Sequence, residues 1–246
     1  MTADRVPRAW VPRSWRARVA VGVVLLAVLL VGGDRLTARV TEHAVAGRLA
    51  CAAGLSRQPA VRLDGRLFLP QALAGRFAGV TVVAHDIRRG DLTLAQVYAH
   101  LRDVSFPGGR AHAAHVDVDV TVGYPALPAE VAGHPVRYHA AGGLLAVDTA
   151  ITVSGREVPV TVLVDTAITG NAVTVTAREV EVLGVRVPTG ALAGGTAVGS
   201  GLSRPLPSLP AGLSYRSLTA TDSGLRLHIA GDDITATRST ACGGSR

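Results

Sequence analysis

The chain has 246 residues; 48% are hydrophobic and 17% charged, so apolar residues suffice for a large core. All 25 basic residues are arginine, and the lack of lysine excludes P-loop proteins, pyridoxal-phosphate enzymes and protein kinases, which each require one. The net charge of +7 is concentrated in the first 33 residues and only 4% of residues are aromatic, which disfavours nucleic-acid binding and sugar-stacking clefts.

The N-terminus has the pattern of a membrane signal. Residues 1–18 carry five arginines, and residues 19–33 are uncharged and mostly apolar. This order is typical of a secretory signal or an uncleaved anchor, and the positive-inside rule places the body, residues 34–246, outside the cytoplasm. We expect a single-pass protein of the cytoplasmic membrane, or a protein secreted to the envelope if the signal is cleaved. A buried core helix is the alternative, and the flanking arginines disfavour it.

The two cysteines, Cys51 and Cys242, lie near opposite ends of the body. In an oxidising compartment an even count favours a disulfide between them, which would close a long loop. The alternative is two unpaired thiols.

The body begins with a helical pattern and continues with strands. Residues 34–53 predict a helix, with one face formed by Leu36, Val40, Ala44, Gly47 and Cys51. Residues 61–67 predict a strand and residues 68–77 a short helix. Residues 79–87 and 91–101 predict a strand pair joined by a turn at 88–91, although 94–101 also fits a helical turn.

The clearest alternation in the chain lies in residues 115–122. Val116, Val118, Val120 and Val122 share one face of the predicted strand, whereas His115, Asp117, Asp119 and Thr121 share the other.

Further strands are predicted along the rest of the body. They cover residues 136–140, 144–154, 159–168, 172–183 (with a bulge), 214–220 and 225–230. Residues 190–210 predict a loop, with a short packed helix in 189–202 as the alternative, and residues beyond 233 are expected to fray. Nine or ten strands with turns between neighbours predict an α+β, mainly β fold: a highly curved antiparallel sheet wrapped around the N-terminal helix.

The most suggestive polar cluster comprises His112, His115, Asp117 and Asp119. His115, Asp117 and Asp119 share a strand face and are candidate metal ligands of an envelope enzyme. The four valines opposite favour a solvated strand face instead, so we assign no metal site. No Gly-x-Ser-x-Gly motif occurs, and the glycine-rich run 194–201 is interpreted as a loop, so we assign no catalytic residue or cofactor and expect a non-enzymatic protein. Aliphatic walls without charged anchors suit acyl chains, although the same residues also fill ordinary cores.

Three stretches resemble a known family, the LmeA-type phospholipid-binding proteins exported by actinobacteria. They are the membrane signal followed directly by a helix, the block VRLDGRLFLPQALAGRFAGVTV at residues 61–82, and the block LPSLPAGLSYRSLTATDSGLRLHIAGDDI at residues 206–234. The resemblance covers nearly all of residues 34–234.

The resemblance implies a tubular lipid-binding fold with an apolar tunnel, and a role in envelope lipid or lipoglycan metabolism. It implies a phospholipid ligand of the phosphatidylinositol type. Leu69, Leu73 and Phe77 would line or gate the mouth, and the valines of residues 116–122 would face the tunnel. Arg62, Arg66 and Arg76 are candidates for the phosphate, with solvated arginines as the alternative. A ligand-free envelope scaffold or protein-interaction module is the competing hypothesis; no protein partner is assigned.

Overall fold

A computed structural model describes residues 32–51, 54–65, 67–89, 92–131, 133–191 and 202–237. The predicted membrane signal up to residue 31, Arg66, the 90–91 turn, the glycine-rich run and Cys242 lie outside the described residues. The division of the chain at residues 33 and 34 therefore stays a prediction. No helix of the described ranges is long and apolar enough to cross a membrane.

Two α-helices and a series of antiparallel strands make up the described chain. Helix α1 covers residues 32–51 and α2 covers Phe68–Ala74. The strands are β1 Ala60–Asp64, β2 Arg76–Arg89, β3 Leu92–Ser105, β4 Arg110–Val122, β5 Glu130–Val131, β6 His134–Pro135, β7 Arg137–Ala141, β8 Leu144–Val153, β9 Arg156–Thr169, β10 Ala172–Val182, β11 Val185–Pro188, β12 Leu202–Pro205, β13 Leu213–Thr221 and β14 Gly224–Thr237. The predicted mainly β fold with an N-terminal helix is confirmed.

The strands form two larger sheets and one small one. The first sheet has the order β1-β2-β3-β4-β14-β13, and the second has the order β11-β10-β9-β8-β7, with β12 also paired to β10; β5 and β6 form a hairpin. Neighbours are consecutive in the chain except for β12, which pairs with β10, and for β4 and β14, between which the whole second sheet is inserted. The predicted meander therefore holds for most neighbours but not for these two pairings.

Strand β4 lies at the middle of the first sheet and gives it two chemically different faces. Val118 pairs with Ala99 of β3 and Ile229 of β14, so aliphatic side chains lie side by side on one face. On the other face Asp119 pairs with His228, whose Nδ1 lies 3.1 Å from the carboxylate. The alternation predicted for residues 115–122 is therefore observed, and it extends across the neighbouring strands.

One transverse row interrupts this alternation on four strands. Ala78, Asp103, Ala114 and Asp233 are skipped in the pairing of β2 with β3, β3 with β4, and β4 with β14. Asp103 and Asp233 have left-handed backbones, with φ of 51° and 53°, a conformation that Asp adopts more readily than most residues. The row shifts the alternation by one residue, so residues three apart pack into one apolar cluster: Phe77 and Val80, Leu101 and Val104, Ala113 and Val116.

Helix α1 is attached to the body largely through two carboxylates. The Asp34 carboxylate accepts hydrogen bonds from the N–H groups of Phe68 and Leu69 at 2.8 and 2.7 Å, and Glu42 accepts one from the N–H of Leu63 on edge strand β1 at 2.9 Å. Ala46 is buried beside them. These polar contacts fix which side of the helix faces the sheet.

The apolar stripe identified in the sequence of α1 lies on its outward side. Leu36 and Val40 are 64% and 70% exposed, and Ala44 and Cys51 are exposed as well. The reason is that Asp34 and Glu42 face the body to reach their backbone donors, which turns the opposite side toward solvent.

Two further elements differ from the expectation. Residues 94–101 belong to a strand and not to a helical turn, since β3 pairs on both edges. Strand β14 continues past Asp233 to Thr237 because it pairs with Arg110 to Ala113 of β4, so the predicted fraying does not begin there.

The Asp34 contact makes the junction of α1 and α2 sensitive to acid. Hydrogen bonds from the N–H groups of Leu69 and Phe68 lower the pKa of Asp34; burial opposes the shift and the charge of Arg35 adds to it. Because the folded pKa lies below the unfolded one, the contribution to stability is complete above about pH 4 and is lost as the pH falls through the folded pKa.

We expect Asp34→Ala to lower the melting temperature at pH 7, and Asp34→Asn, which keeps one acceptor oxygen, to lower it less. Hydrogen exchange of the Phe68 and Leu69 amides is the direct measurement, and both should exchange faster in Asp34→Ala. Unchanged protection of both amides at pH 7 would show that the carboxylate does not hold α2.

Candidate functional site

A mostly apolar pocket of about 690 Å³ lies where α2 meets the first sheet. It is lined by side chains of α2 and its flanks and of strands β2, β3 and β4: Gly65, Leu67, Pro70, Gln71, Arg76, Phe77, Ala78, Asp103, Val104, Ser105, His112 and Ala114. Its volume lies within the range of about 300 to 1,000 Å³ that is typical of small-molecule sites.

The three phenylalanines of the chain meet at this pocket. The ring of Phe77 lies 6.0 Å from that of Phe68 and 6.0 Å from that of Phe106, tilted against the first and edge-on to the second. Such contacts stabilise an aromatic pair beyond its buried area. They fix α2 and the β3–β4 connection on either side of Phe77.

Three hydrogen-bond donors form a row at the same pocket. Arg76, Ser105 and His112 are register partners on β2, β3 and β4, and all three line the cavity. Arg76 is placed there by Gly75, whose left-handed φ of 63° ends α2 and starts β2 in one residue. The guanidinium makes no hydrogen bond or ion pair with the other described residues.

The interrupted row lies at this cavity. Ala78, Asp103 and Ala114 of that row line the pocket together with Phe77 and Val104. Arg76, Ser105 and His112, which lie beside the row on the same strands, add polar groups. The result is an apolar pocket with a polar side.

An aliphatic surface leads away from this pocket along the inner face of the first sheet. Val118, Val120 and Val122 are half-buried, as are their partners Leu227 and Leu225. No large side chain of the described ranges is completely buried. These aliphatic groups are therefore only partly covered: Val118 packs against the cluster at the interrupted row, and Leu225 packs against Leu145 and Val164 of the second sheet.

The surface continues into the second sheet. Leu145 and Val164 of the second sheet pack against Ala220 of β13, and the Thr166 hydroxyl donates to the Leu218 carbonyl at 3.0 Å. Beyond this junction lies a second apolar pocket of about 310 Å³, lined by Val131, His134, Val136, Val147, Thr149, Ile151, Val162, Val164, Val175 and Ala177.

The tyrosines at the junction stay neutral at physiological pH. Burial raises the pKa of Tyr124, with a further contribution from the Asp222 charge, and burial also raises the pKa of Tyr138. The Tyr124 hydroxyl donates to the Thr221 carbonyl at 2.7 Å. Both rings pack against the aliphatic cluster at the junction as uncharged groups.

The predicted site residues fall into three groups. Phe77 lines the first pocket, whereas Leu69 and Leu73, on α2, do not line it and are 43% and 89% exposed. Val116 is buried in the apolar cluster at the interrupted row, and the three other predicted valines, at 118, 120 and 122, lie on the half-buried inner face.

Of the predicted phosphate ligands, Arg76 lines the first pocket, and Arg62 is exposed on β1 as the register partner of Thr81. Ser105 and His112 could not be recognised as neighbours of Arg76 from the sequence, since only strand register brings the three together. Leu101 and Val104 are apolar residues three positions apart, which departs from the period of two in a regular strand. This spacing could have indicated the interrupted row.

The His112–Asp119 cluster separates into individual pairs. His115 Nδ1 lies 2.6 Å from Asp232, His112 Nε2 lies 3.7 Å from Asp233, and Arg102 lies 3.5 Å from Asp117. Within the described ranges, no three His, Cys, Asp or Glu side chains converge to hold a metal ion. The cluster forms part of a polar outer face on which neighbouring strands are linked by His–Asp pairs.

Cys51, at the end of α1, is disulfide-bonded. Residue 242 lies outside the described ranges, so the pairing of Cys51 with Cys242 stays a prediction.

The comparisons identify the family. The profile of the LmeA-like phospholipid-binding family matches residues 32–230, which include α1, α2 and both pockets. The chain belongs to the LmeA-like phospholipid-binding family. This membership indicates lipid binding and agrees with the resemblance drawn from the sequence. Neither the curated proteins nor the solved structures contain a match to this LmeA-like chain.

The left-handed backbone at Asp103 gives a test of the interrupted row. We expect Asp103→Gly to be nearly neutral and Asp103→Val to destabilise the fold by about 1 to 2 kcal/mol, because a branched side chain is strained at this φ. Urea unfolding measures the difference. The control is Asp117→Val on β4, where the backbone is extended and the expected loss is below about 1 kcal/mol. Equal stability of Asp103→Val and Asp103→Gly would contradict the assigned backbone.

Proposed function

We propose that this protein binds a membrane phospholipid by laying its acyl chains along the aliphatic inner faces of the two sheets. The observation that carries the proposal is the half-buried row of valines and leucines between the two apolar pockets. Family membership supports the ligand class. A bound acyl chain would cover aliphatic groups that the protein itself leaves partly in water.

The dimensions of the inner face suit this ligand. Residues 116–122 of β4 span about 20 Å, and an acyl chain in one leaflet occupies about 15 Å, half the thickness of the hydrocarbon core. Each CH₂ group that leaves water contributes about 0.8 kcal/mol. The affinity would therefore come mainly from the chains, with the polar side of the first pocket selecting the orientation.

The headgroup is proposed to lie at the row formed by Arg76, Ser105 and His112. A guanidinium, a hydroxyl and an imidazole offer several N–H and O–H donors to a phosphodiester. Asp103 lines the same pocket as a carboxylate acceptor. A headgroup with several hydroxyls satisfies both kinds of group, which favours phosphatidylinositol-type lipids over those with a free anionic end.

We place the protein at the outer side of the cytoplasmic membrane. The basic residues 1–18 and the apolar residues 19–33 support an anchor with its N-terminus inside. The anchor would hold the first pocket near the bilayer that supplies the lipid, as expected for a binding or transfer protein in envelope lipid or lipoglycan metabolism. We assign no catalytic step.

The inner face is tested by placing a charge on it. The full-length protein is purified from membranes in detergent, and bound lipid is counted by native mass spectrometry and identified after extraction. We expect Val118→Arg to lose most of its lipid, because a charge in the aliphatic row loses hydration when the chain binds. Val153→Arg, at an exposed strand end, should retain the wild-type amount.

Circular dichroism and a single gel-filtration peak establish that the variants are folded, and Val175→Arg in the second pocket gives an independent case. A folded Val118→Arg protein with full lipid occupancy would rule out the proposed path. Absence of lipid from the wild-type protein, before and after incubation with vesicles, would favour the scaffold hypothesis.

The headgroup row is tested with Arg76→Gln. We expect about tenfold weaker binding of an anionic phospholipid, the loss of one charge-assisted hydrogen bond of about 1.5 kcal/mol. The measurement is displacement of a fluorescent lipid by phosphatidylinositol. Arg156→Gln, an exposed arginine at the start of β9, is the matched control, and an equal loss in both variants would indicate a non-specific charge effect.

A further inference from the structure

Four exposed apolar side chains lie near the first pocket, on α2 and its flank and on the β3–β4 connection, and we call this set the rim. Leu67, Leu69, Leu73 and Phe106 make up the rim, and each is exposed although large and apolar. Leu67 also lines the pocket, and Phe106 contacts Phe77 inside it. The rim is therefore continuous with the pocket lining.

Helix α1 contributes a second exposed apolar surface. Leu36 and Val40 lie on its outward side, flanked by the exposed cation Arg48. Both acids of the helix, Asp34 and Glu42, face the body. The outward side of α1 therefore carries apolar groups and a flanking cation without an acid, a composition that suits an anionic membrane surface.

Both surfaces lie close to the point where the apolar segment 19–33 ends. The bonds from Asp34 to Phe68 and Leu69 place the start of α2 against the first described turns of α1. At 1.5 Å per residue, Val40 lies about 10 Å along the helix from Gly33, which is within the depth of the headgroup region if Gly33 marks its boundary.

We propose that the rim and the outward side of α1 together form a docking surface for the anionic phospholipid bilayer. The surface would hold the mouth of the first pocket against the membrane, so that a lipid enters from the leaflet without crossing water. This inference rests on the proposed function, since it requires the anchor and the lipid pocket.

Tryptophan fluorescence in the full-length protein tests the docking surface. Both native tryptophans, Trp10 and Trp15, are replaced by Phe, which leaves a background without tryptophan. Single tryptophans are then introduced at Leu36 and Leu73, and at Leu183 and Val153 as exposed controls away from the rim. Each protein is reconstituted through its anchor into phosphatidylcholine–phosphatidylglycerol vesicles with brominated acyl chains.

We expect Leu36→Trp and Leu73→Trp to lose about half of their fluorescence in brominated vesicles, and the two controls to lose little, because quenching requires contact with the acyl region. Leu36 faces away from the pocket, so its quenching reports the bilayer and not a lipid inside the protein. No quenching at Leu36 and Leu73, or equal quenching at Leu183, would overturn the proposal.

The same preparations separate the two proposals. Lipid bound to the protein is counted by native mass spectrometry after transfer to detergent. Bound lipid without quenching at Leu36 would overturn the docking surface and leave the proposed function intact. Quenching at Leu36 in a protein that never carries lipid would support docking and overturn lipid binding.

Discussion

The aliphatic inner face of the first sheet is only partly covered by packed side chains, and most of the structure follows from this constraint. Strand β4 places Val118, Val120 and Val122 on that face, and the partners on β3 and β14 extend it sideways. Backbone pairing across the sheet holds these strands together without a large buried core. Apolar surface left partly in water is unfavourable for an isolated protein but suits one that binds lipid.

The sequence predicted those parts of the fold that follow from the local spacing of apolar and polar residues. The alternation in residues 115–122, the short helix in 68–77 and the bulge in β10 all appear where their patterns placed them. The orientation of α1 was not predictable from its apolar stripe, because Asp34 and Glu42 find backbone donors on the opposite side. The pairing of β4 with β14 could not be predicted either, since the strands of an entire sheet lie between them in the chain.

The site was only partly predictable, because it also depends on contacts between distant parts of the chain. Phe77 and Arg76 belong to the contiguous block that carries the family resemblance, and both line the first pocket. Ser105 and His112 come from two further strands and meet Arg76 only through register. No motif in the sequence marks these two residues. Their proximity to Arg76 depends on strand pairing, which the spacing of apolar residues does not specify.

The two pockets have one more consequence, for the orientation of a ligand. The first pocket carries the polar groups Arg76, Ser105 and His112, whereas the second is lined mainly by aliphatic side chains. The two pockets are therefore not equivalent. A molecule with one polar and one apolar end would have matching surroundings in a single orientation, with its polar end at the first pocket.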